Sequence, residues 1–131
     1  MEGVKITERG WAGHFICAHY CLFRRNTLIE YANKKIVVST VGRMIIRNPD
    51  TGESEIETIG LNRWYETMAF VGKNEGGYID ADVSKPVVFE SEWGIFGETW
   101  QEVKAKYNLP DNAANKMHDD VVKELMITIK K

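Results

Sequence analysis

The stretch "TLIEYANKKIVVSTVGRMII", residues 27–46, decides the fold class of this 131-residue chain. Two runs rich in β-branched residues, "TLIEY" and "IVVSTVGRMII", flank the polar segment "ANKK". Such runs predict strands, and the connection between them is too short for a crossover helix. The stretch therefore predicts two strands that pair antiparallel.

The same pattern extends outward from this pair over most of the chain. The segments "VKIT", "HFICAHYCLF", "WYETMAFVG", "YIDADV" and "VVF" have strand-like composition, whereas "NPDTGES", "LNR", "GKNEGG" and "SKP" are typical of turns. Six or seven short strands joined by short turns predict an antiparallel sheet that closes into a small barrel. We expect this β-rich part to occupy about residues 1–92.

The pattern becomes helical after Trp93, over about residues 97–130. Thr99 followed by Glu102 fits a capping box and predicts a short helix that ends near Tyr107. Apolar residues at helical spacing then predict a longer final helix, which must pack on the barrel or on another copy of the chain: Ala114, Met117, Val121, Leu125 and Ile129. We expect a single domain over residues 1–131, mainly β with two C-terminal helices.

Composition limits the possible partners. Seventeen basic and nineteen acidic residues give a net charge of −2, which disfavours binding to duplex nucleic acid, since that requires many neutralised phosphates. A small anionic ligand needs only a few well-placed arginines. The apolar runs are too short to span a membrane, and the N-terminal residues lack the apolar region of a secretory signal, so we expect a cytoplasmic protein.

The segment "GHFICAHYCLFRRN", residues 13–26, combines cysteines, histidines and arginines. In a strand, Cys17, His19 and Cys21 lie on one face and could offer ligands to zinc, but three successive positions on one face span too far to converge without a bulge. At ~3.3 Å per residue the two cysteines lie about 13 Å apart, beyond disulfide range. We therefore favour free thiols in a barrel wall and expect no metal or other cofactor.

Arginines next to aromatic residues suggest a different site. Arg24 and Arg25 are predicted near a strand end, and Arg63 precedes Trp64. Guanidinium groups match phosphate oxygens, and aromatic rings can stack on a base, so this pairing is typical of nucleotide binding. On the final helix, the run "HDD" at residues 118–120 could form an acid–base pair, but a solvated helix face is the simpler interpretation.

Several strings together resemble a family of small proteins encoded by phages and mobile elements: "ITERGWAGHFICAHYCLFRRNTLIEY", "IVVSTVG", "RWYETMAF", "DADVS" and "NKMHDDVV". The chain is similar to the Thoeris anti-defence family of signal sponges. That resemblance implies a Tudor-like β-barrel with a C-terminal helix, in assemblies from dimer to hexamer. It also implies capture, without cleavage, of the cyclic ADP-ribose isomer made by bacterial TIR-domain enzymes, and some members also hold cyclic trinucleotides from CBASS immunity.

The first functional hypothesis is therefore a non-enzymatic phage protein that sequesters a cyclic nucleotide in the cytoplasm of its bacterial host and assembles as a homodimer or homohexamer. We predict phosphate contacts from the arginines, stacking from the aromatic rings and polar contacts from an asparagine: Arg24, Arg25, Arg63, Trp64, Phe89, Trp93 and Asn115. Two alternatives remain open at this point. One is an inhibitor that acts by protein–protein contact, as anti-CRISPR proteins do. The other is a metal or thiol enzyme using Cys17, His19 and Cys21.

Overall fold

The computed structural model describes residues 3–9, 20–87 and 94–131 of the chain. Two helices follow eight strands in these parts. The element bounds are β1 (Val4–Glu8), β2 (Arg24–Tyr31), β3 (Lys34–Gly42), β4 (Met44–Arg47), β5 (Ser54–Glu57), β6 (Arg63–Glu75), β7 (Tyr78–Pro86), β8 (Gly94–Phe96), α1 (Trp100–Tyr107) and α2 (Pro110–Thr128). The predicted class, mainly antiparallel β with a short and a longer C-terminal helix, is confirmed.

The strands form a main sheet of order β1-β2-β3-β6-β7, with β8 also paired to β6, and a separate sheet of β4 and β5. The predicted β2–β3 hairpin is present, closed by the pair Tyr31↔Lys34 around a two-residue turn in which Ala32 has a φ of 53°. Arg9, just after β1, donates to the Oδ1 of Asn26 and to the carbonyl oxygen of Ile79 on β7. Because β1 and β7 are the outermost described strands, this link shows that the sheet is curved. Closure into a Tudor-like barrel stays a prediction.

Helix α2 covers one face of the sheet. Its apolar stripe packs on residues from the three central strands, forming a core of Ile29, Val38, Ala69, Val121, Val122, Leu125 and Ile129. The stripe predicted from the sequence is thus buried against the sheet of its own chain. Leu28, Val37 and Phe70, which alternate with the first three of these residues along the strands, are buried as well. Burial on both faces explains why adjacent residues of these strands are both apolar, as in Leu28–Ile29 and Val37–Val38.

Some sequence predictions of strands were wrong in detail. Most of "HFICAHYCLF" lies outside the described residues, and in its described part only Cys21 pairs, through an isolated bridge to Met44. "SKP" belongs to β7 rather than to a turn, which is possible because proline is tolerated in an outermost strand. The sequence pattern also missed β5 and β8, whose short segments "SEIE" and "GIF" gain their strand geometry from pairing with β4 and β6.

The helices begin and end close to the predicted residues. The hydroxyl of Thr99 accepts a hydrogen bond from the backbone N–H of Glu102 at 3.1 Å, which caps α1. Pro110 then begins α2, a position where its missing N–H costs no hydrogen bond. No helix in the described parts is both long and apolar enough to span a membrane.

Candidate functional site

The structure brings together two of the residues predicted from the sequence, Arg25 and Asn115. The Arg25 guanidinium donates to the Oδ1 of Asn115 at 3.2 Å, and it also forms ion pairs with Glu8 at 2.8 Å and Asp119 at 2.9 Å. These ion pairs raise the pKa of Arg25. A ligand phosphate would have to displace the carboxylates from the guanidinium, so the charge of this cluster does not favour an anion.

The other predicted residues lie elsewhere. Arg24 is exposed at the start of β2, and Arg63 forms an ion pair with Glu66. Trp64 is 4% exposed, donates from Nε1 to the carbonyl oxygen of Gly97 at 2.8 Å, and packs on Trp100 with ring centroids 5.5 Å apart. Phe89 and Trp93 lie outside the described residues. The predicted residues therefore do not form one site, and their roles in binding stay predictions.

His118 does not lie on a solvated helix face; that interpretation was wrong. Its ring is fully buried between α2 and the sheet, with Nε2 2.7 Å from the hydroxyl of Thr27 and Nδ1 2.7 Å from that of Thr40. Thr40 in turn lies 2.6 Å from the hydroxyl of Thr67, and Thr27 donates to Glu8 at 2.8 Å. A continuous hydrogen-bonded chain thus links the interior of the molecule to a surface carboxylate.

The carboxylate fixes the direction of this chain. Because Glu8 can only accept, the single hydroxyl proton of Thr27 is used there, and Thr27 must accept from Nε2–H of His118. A neutral ring protonated on Nε2 accepts at Nδ1, so Thr40 donates to the ring and accepts from Thr67. We name these residues, Glu8, Thr27, Thr40, Thr67 and His118, the polarised chain.

The electrostatics support a neutral histidine. Burial, together with the nearby Arg25 cation, lowers the pKa of His118 to about 4. Burial raises the pKa of Glu8, but hydrogen bonds from Arg25 and Thr27 outweigh that effect and leave it below its usual value. Both ring nitrogens of His118 already have hydroxyl partners, so this histidine has no free nitrogen for an external substrate. Its arrangement is structural.

A cavity of about 490 Å³ offers a better ligand site, at the end of α2 where it meets the β2–β3 turn and the β6–β7 pair. Its polar lining includes two lysines and two amides: Asn33, Lys34, Lys35 and Asn74. Its apolar lining comprises Ile36, Val71, Ile79, Val87 and Ile129. We call this cavity the lysine pocket. Its volume lies within the ~300–1,000 Å³ typical of small-molecule sites.

The β6–β7 ladder is interrupted beside the lysine pocket. Gly72 pairs with Ala81, but Phe70, two residues earlier, already pairs with Pro86, so the register shifts between them. A Cβ atom on Gly72 would lie 2.7 Å from the Cγ2 of Ile79 and 3.0 Å from the Cβ of Lys35. Glycine at this position therefore lets the strands and the side chains of Ile79 and Lys35 pack closely.

The charge of the lysine pocket is positive. Lys34 donates from Nζ to the carbonyl oxygens of Ile129 at 3.3 Å and Lys131 at 3.1 Å, which offsets the negative end of the α2 dipole. Lys35 forms no ion pair with any described residue. The described lining contains no carboxylate. These residues were not predicted from the sequence because "ANKK" and "GKNEGG" are typical of turns; the adjacent lysines at the start of an apolar strand were the available signal.

A second cavity, of about 610 Å³, lies between β5 and the start of α1. Trp64 and Trp100 line it, but so do three glutamates, Glu55, Glu57 and Glu98, with no lysine or arginine. Like charges would repel a phosphate here. Although this cavity contains one of the predicted stacking residues, its charge makes it the poorer site for a nucleotide.

The described residues contain no group of three or more His, Cys, Asp or Glu side chains arranged to hold a metal ion. Cys21 is buried and is not part of a disulfide. Cys17 and His19, the other members of the hypothetical metal or thiol site, lie outside the described residues.

Comparison with known proteins gives one partial similarity. The chain is 31% identical, over 84 residues, to "Putative NADPH dehydrogenase C5H10.04" of Schizosaccharomyces pombe. The similarity covers 64% of this chain but 22% of the yeast protein, so the chain spans about a fifth of that relative's length. No family model and no solved structure matches the chain.

Proposed function

We propose that this protein is a phage-encoded anti-defence protein that binds a nucleotide immune signal in the lysine pocket and sequesters it without cleavage. The observation that carries the proposal is a cavity of ligand size whose lining residues include two lysines, two asparagines and several apolar residues. The cyclic ADP-ribose isomer is the proposed signal, from the sequence resemblance to signal sponges. The proposed place of action is the cytoplasm of the bacterial host.

The composition of the lysine pocket supports binding rather than catalysis. A general acid or base must lie within hydrogen-bond reach of the reacting group. The described lining offers hydroxyl, amide and ammonium groups but no histidine, cysteine or carboxylate. A sequestering protein needs only affinity, which an anion-binding cation and an apolar wall can supply.

The similarity to the yeast protein favours a second candidate, a module that binds NADPH. The name of that protein specifies a dinucleotide, which shares with the proposed signal an adenine base and a phosphate-bearing linker. Both candidates place a nucleotide anion in the lysine pocket. They differ in the ligand, so a direct comparison of ligands separates them.

The experiment uses the purified protein and three ligands: the cyclic ADP-ribose isomer, a cyclic trinucleotide and NADPH. After incubation and removal of free ligand by filtration, the protein is heated and the released molecules are identified by mass spectrometry. We expect the cyclic ADP-ribose isomer to be retained and released intact. Release of a cleaved product, or no retention of any cyclic nucleotide, would contradict sequestration. Retention of NADPH alone would favour the second candidate.

The rival hypothesis of a protein-directed inhibitor predicts a different result. In that case no nucleotide should raise the melting temperature, while a defined host immune protein should co-purify with the chain. Capture of nucleotide with intact release would contradict this rival.

A further inference from the structure

We infer that the outer edge of β5, which lines the second cavity, binds an extended segment of another protein as an added strand. The matching segment carries basic and apolar residues in alternation. This surface is separate from the lysine pocket, so the inference goes beyond the proposed function and does not depend on it.

The lining of the second cavity includes a strand edge. Four consecutive residues, 55–58, line the cavity, and the first three of them belong to β5. Because successive side chains of a strand point to opposite faces, such an unbroken run lines a cavity by the backbone edge between those faces. Among the described strands β5 pairs with β4 alone, so no described strand occupies its outer edge. An edge of this kind is a template for strand addition.

The alternation of hydrogen bonds along the β4–β5 pair identifies the backbone groups that point outward. Asn48 donates from its backbone N–H to the carbonyl oxygen of Glu53 at 2.7 Å, so these two residues form a bonded pair. Bonded and non-bonded pairs alternate in an antiparallel ladder. Counting on through the register, Glu55 and Glu57 bond to β4, and the N–H and C=O of Ile56 point away from it. Ile56 therefore offers a donor and an acceptor to an added strand.

The two faces of β5 differ in chemistry. Ile56 packs against the core cluster that contains Trp64, and Trp100 packs against the same cluster. Glu55 and Glu57, one position to each side, lie on the opposite face and are exposed. Side chains opposite one another on neighbouring strands share a face. The residue that lies opposite Ile56 should therefore be apolar, and its two neighbours along the peptide should be basic.

The charge around the second cavity favours such a basic partner. A third glutamate, Glu98, is exposed just before α1, and the described lining contains no lysine or arginine. Exposed ion pairs add little affinity, but complementary charge selects among partners. The affinity itself comes from backbone hydrogen bonds to the strand edge and from the apolar side chain that is removed from water.

Fluorescence anisotropy with a labelled, end-capped peptide of alternating lysine and valine residues tests the inference. We expect this peptide to bind and three control peptides to bind about tenfold more weakly or less. One control has glutamate in place of lysine, one has all its lysines before its valines, and one is N-methylated at the central valine. The N-methyl group removes a backbone donor and keeps the charge and the side chain, so it separates strand addition from attraction between charges.

A double variant of the protein tests the charge selection. Glu55→Gln with Glu57→Gln should weaken the basic peptide by about three- to tenfold, as expected for the loss of two exposed ion pairs. Glu75→Gln with Glu124→Gln is the matched control, since it removes the same charge from exposed positions outside the cavity and should leave binding unchanged. All four positions are exposed, and a melting curve for each variant reports folding.

Amide hydrogen exchange measured by NMR locates the peptide on the protein. Exchange of the Ile56 N–H should slow on binding, whereas the N–H of Glu55, which already bonds to β4, should change little. Equal binding of the charge-reversed or N-methylated peptide, or unchanged exchange at Ile56, would overturn the inference. Protection of Ile56 by self-association without peptide would also overturn it, because a second copy then occupies the edge. Nucleotide retention is measured separately, so none of these results affects the proposed function.

Discussion

A single carboxylate, Glu8, sets the direction of four buried protons in the polarised chain. The acceptor-only group at the surface forces Thr27 to accept from His118, and the same logic continues through Thr40 to Thr67. The hydroxyls of Thr27 and Thr40 therefore each donate one hydrogen bond and accept one. Such a fully satisfied network lets α2 bury a histidine without leaving an unpaired polar atom on its ring.

The direction of the chain predicts the tautomer of His118. The proton should reside on Nε2 at neutral pH, because Thr27 has no second proton to donate to that nitrogen. Nitrogen chemical shifts of the imidazole measured by NMR distinguish the two tautomers. A proton on Nδ1 would show that the chain runs in the opposite direction and that Glu8 does not control it.

The pKa of His118 predicts how stability depends on pH. Its value of about 4 in the folded protein lies below the ordinary 6.5, so between these values the unfolded chain binds more protons. The free energy of unfolding should therefore fall as the pH decreases from 7 to 5, by about 1–2 kcal/mol from this group. Urea unfolding at both pH values measures the change.

His118→Gln provides the control for that measurement. The variant should be less stable at pH 7 by about 1–3 kcal/mol, since it disturbs buried hydrogen bonds. It should also lose the part of the pH dependence that the histidine contributes. If the native protein and the variant lose the same stability between pH 7 and 5, the histidine is not the group that titrates.

At the scale of single residues, the sequence predicted some of the residues that lie together but not the charges that surround them. It identified Arg25 and Asn115, which do lie together, but it could not show that Glu8, distant along the chain, and Asp119 neutralise that arginine. Pairing across 17 and 94 positions depends on the sheet register and on where α2 docks. The local sequence pattern indicates neither the register nor the docking position. For the same reason it did not predict the burial of His118.

Among the elements, α2 contributes most directly to the core. Its buried and exposed positions alternate with helical period, and Leu125 is 2% exposed whereas Ile127, two residues later, is 52% exposed. Leu125→Ala should lower the free energy of unfolding by about 2–5 kcal/mol because it leaves a cavity against the sheet. Denaturant unfolding measures this cost.

Ile127→Ala is the matched control on the same helix. This substitution should change stability by about 0.5 kcal/mol or less, as expected at an exposed position. Equal losses from the two variants would contradict the docking of α2 by its Leu125 face.

Removal of the N-cap of α1 should lower the stability of the protein by a smaller amount. Thr99→Ala removes the hydroxyl that accepts from the N–H of Glu102 and should cost about 1 kcal/mol. Thr99→Ser keeps the acceptor and should retain most of the stability. Thermal unfolding of both variants checks the prediction, and an equal loss from serine and alanine would show that the hydroxyl does not act as a cap.

Sequence pattern predicted the elements best where local signals were strong. The β2–β3 hairpin has long β-branched runs, and α1 and α2 have a capping pair and a long periodic stripe. Strands β5 and β8 are four and three residues long, and each depends on a partner strand, β4 for β5 and the more distant β6 for β8. Their geometry is therefore a property of the sheet and not of their own residues.

At the scale of the whole molecule, we expect the folding of the sheet to depend on α2, which covers one of its faces. Ile29, Val38 and Ala69 are fully buried, and they lie in the core that α2 completes. Deletion of residues 110–131 should expose this apolar face and give a protein that aggregates or fails to fold. Size-exclusion chromatography and circular dichroism measure the result. A soluble, sheet-rich and monomeric product would show that the sheet is stable without the helix.

The shifted register between β6 and β7 also affects how the molecule behaves at high concentration. An outermost strand with a regular row of free N–H and C=O groups can recruit the strand of a neighbouring molecule and start aggregation. Strand β7 departs from that regularity: its pairing with β6 is interrupted, and it ends on Lys85 and Pro86, one charged and one without an N–H. The irregularity beside the lysine pocket thus also makes β7 a poor template for intermolecular sheet growth.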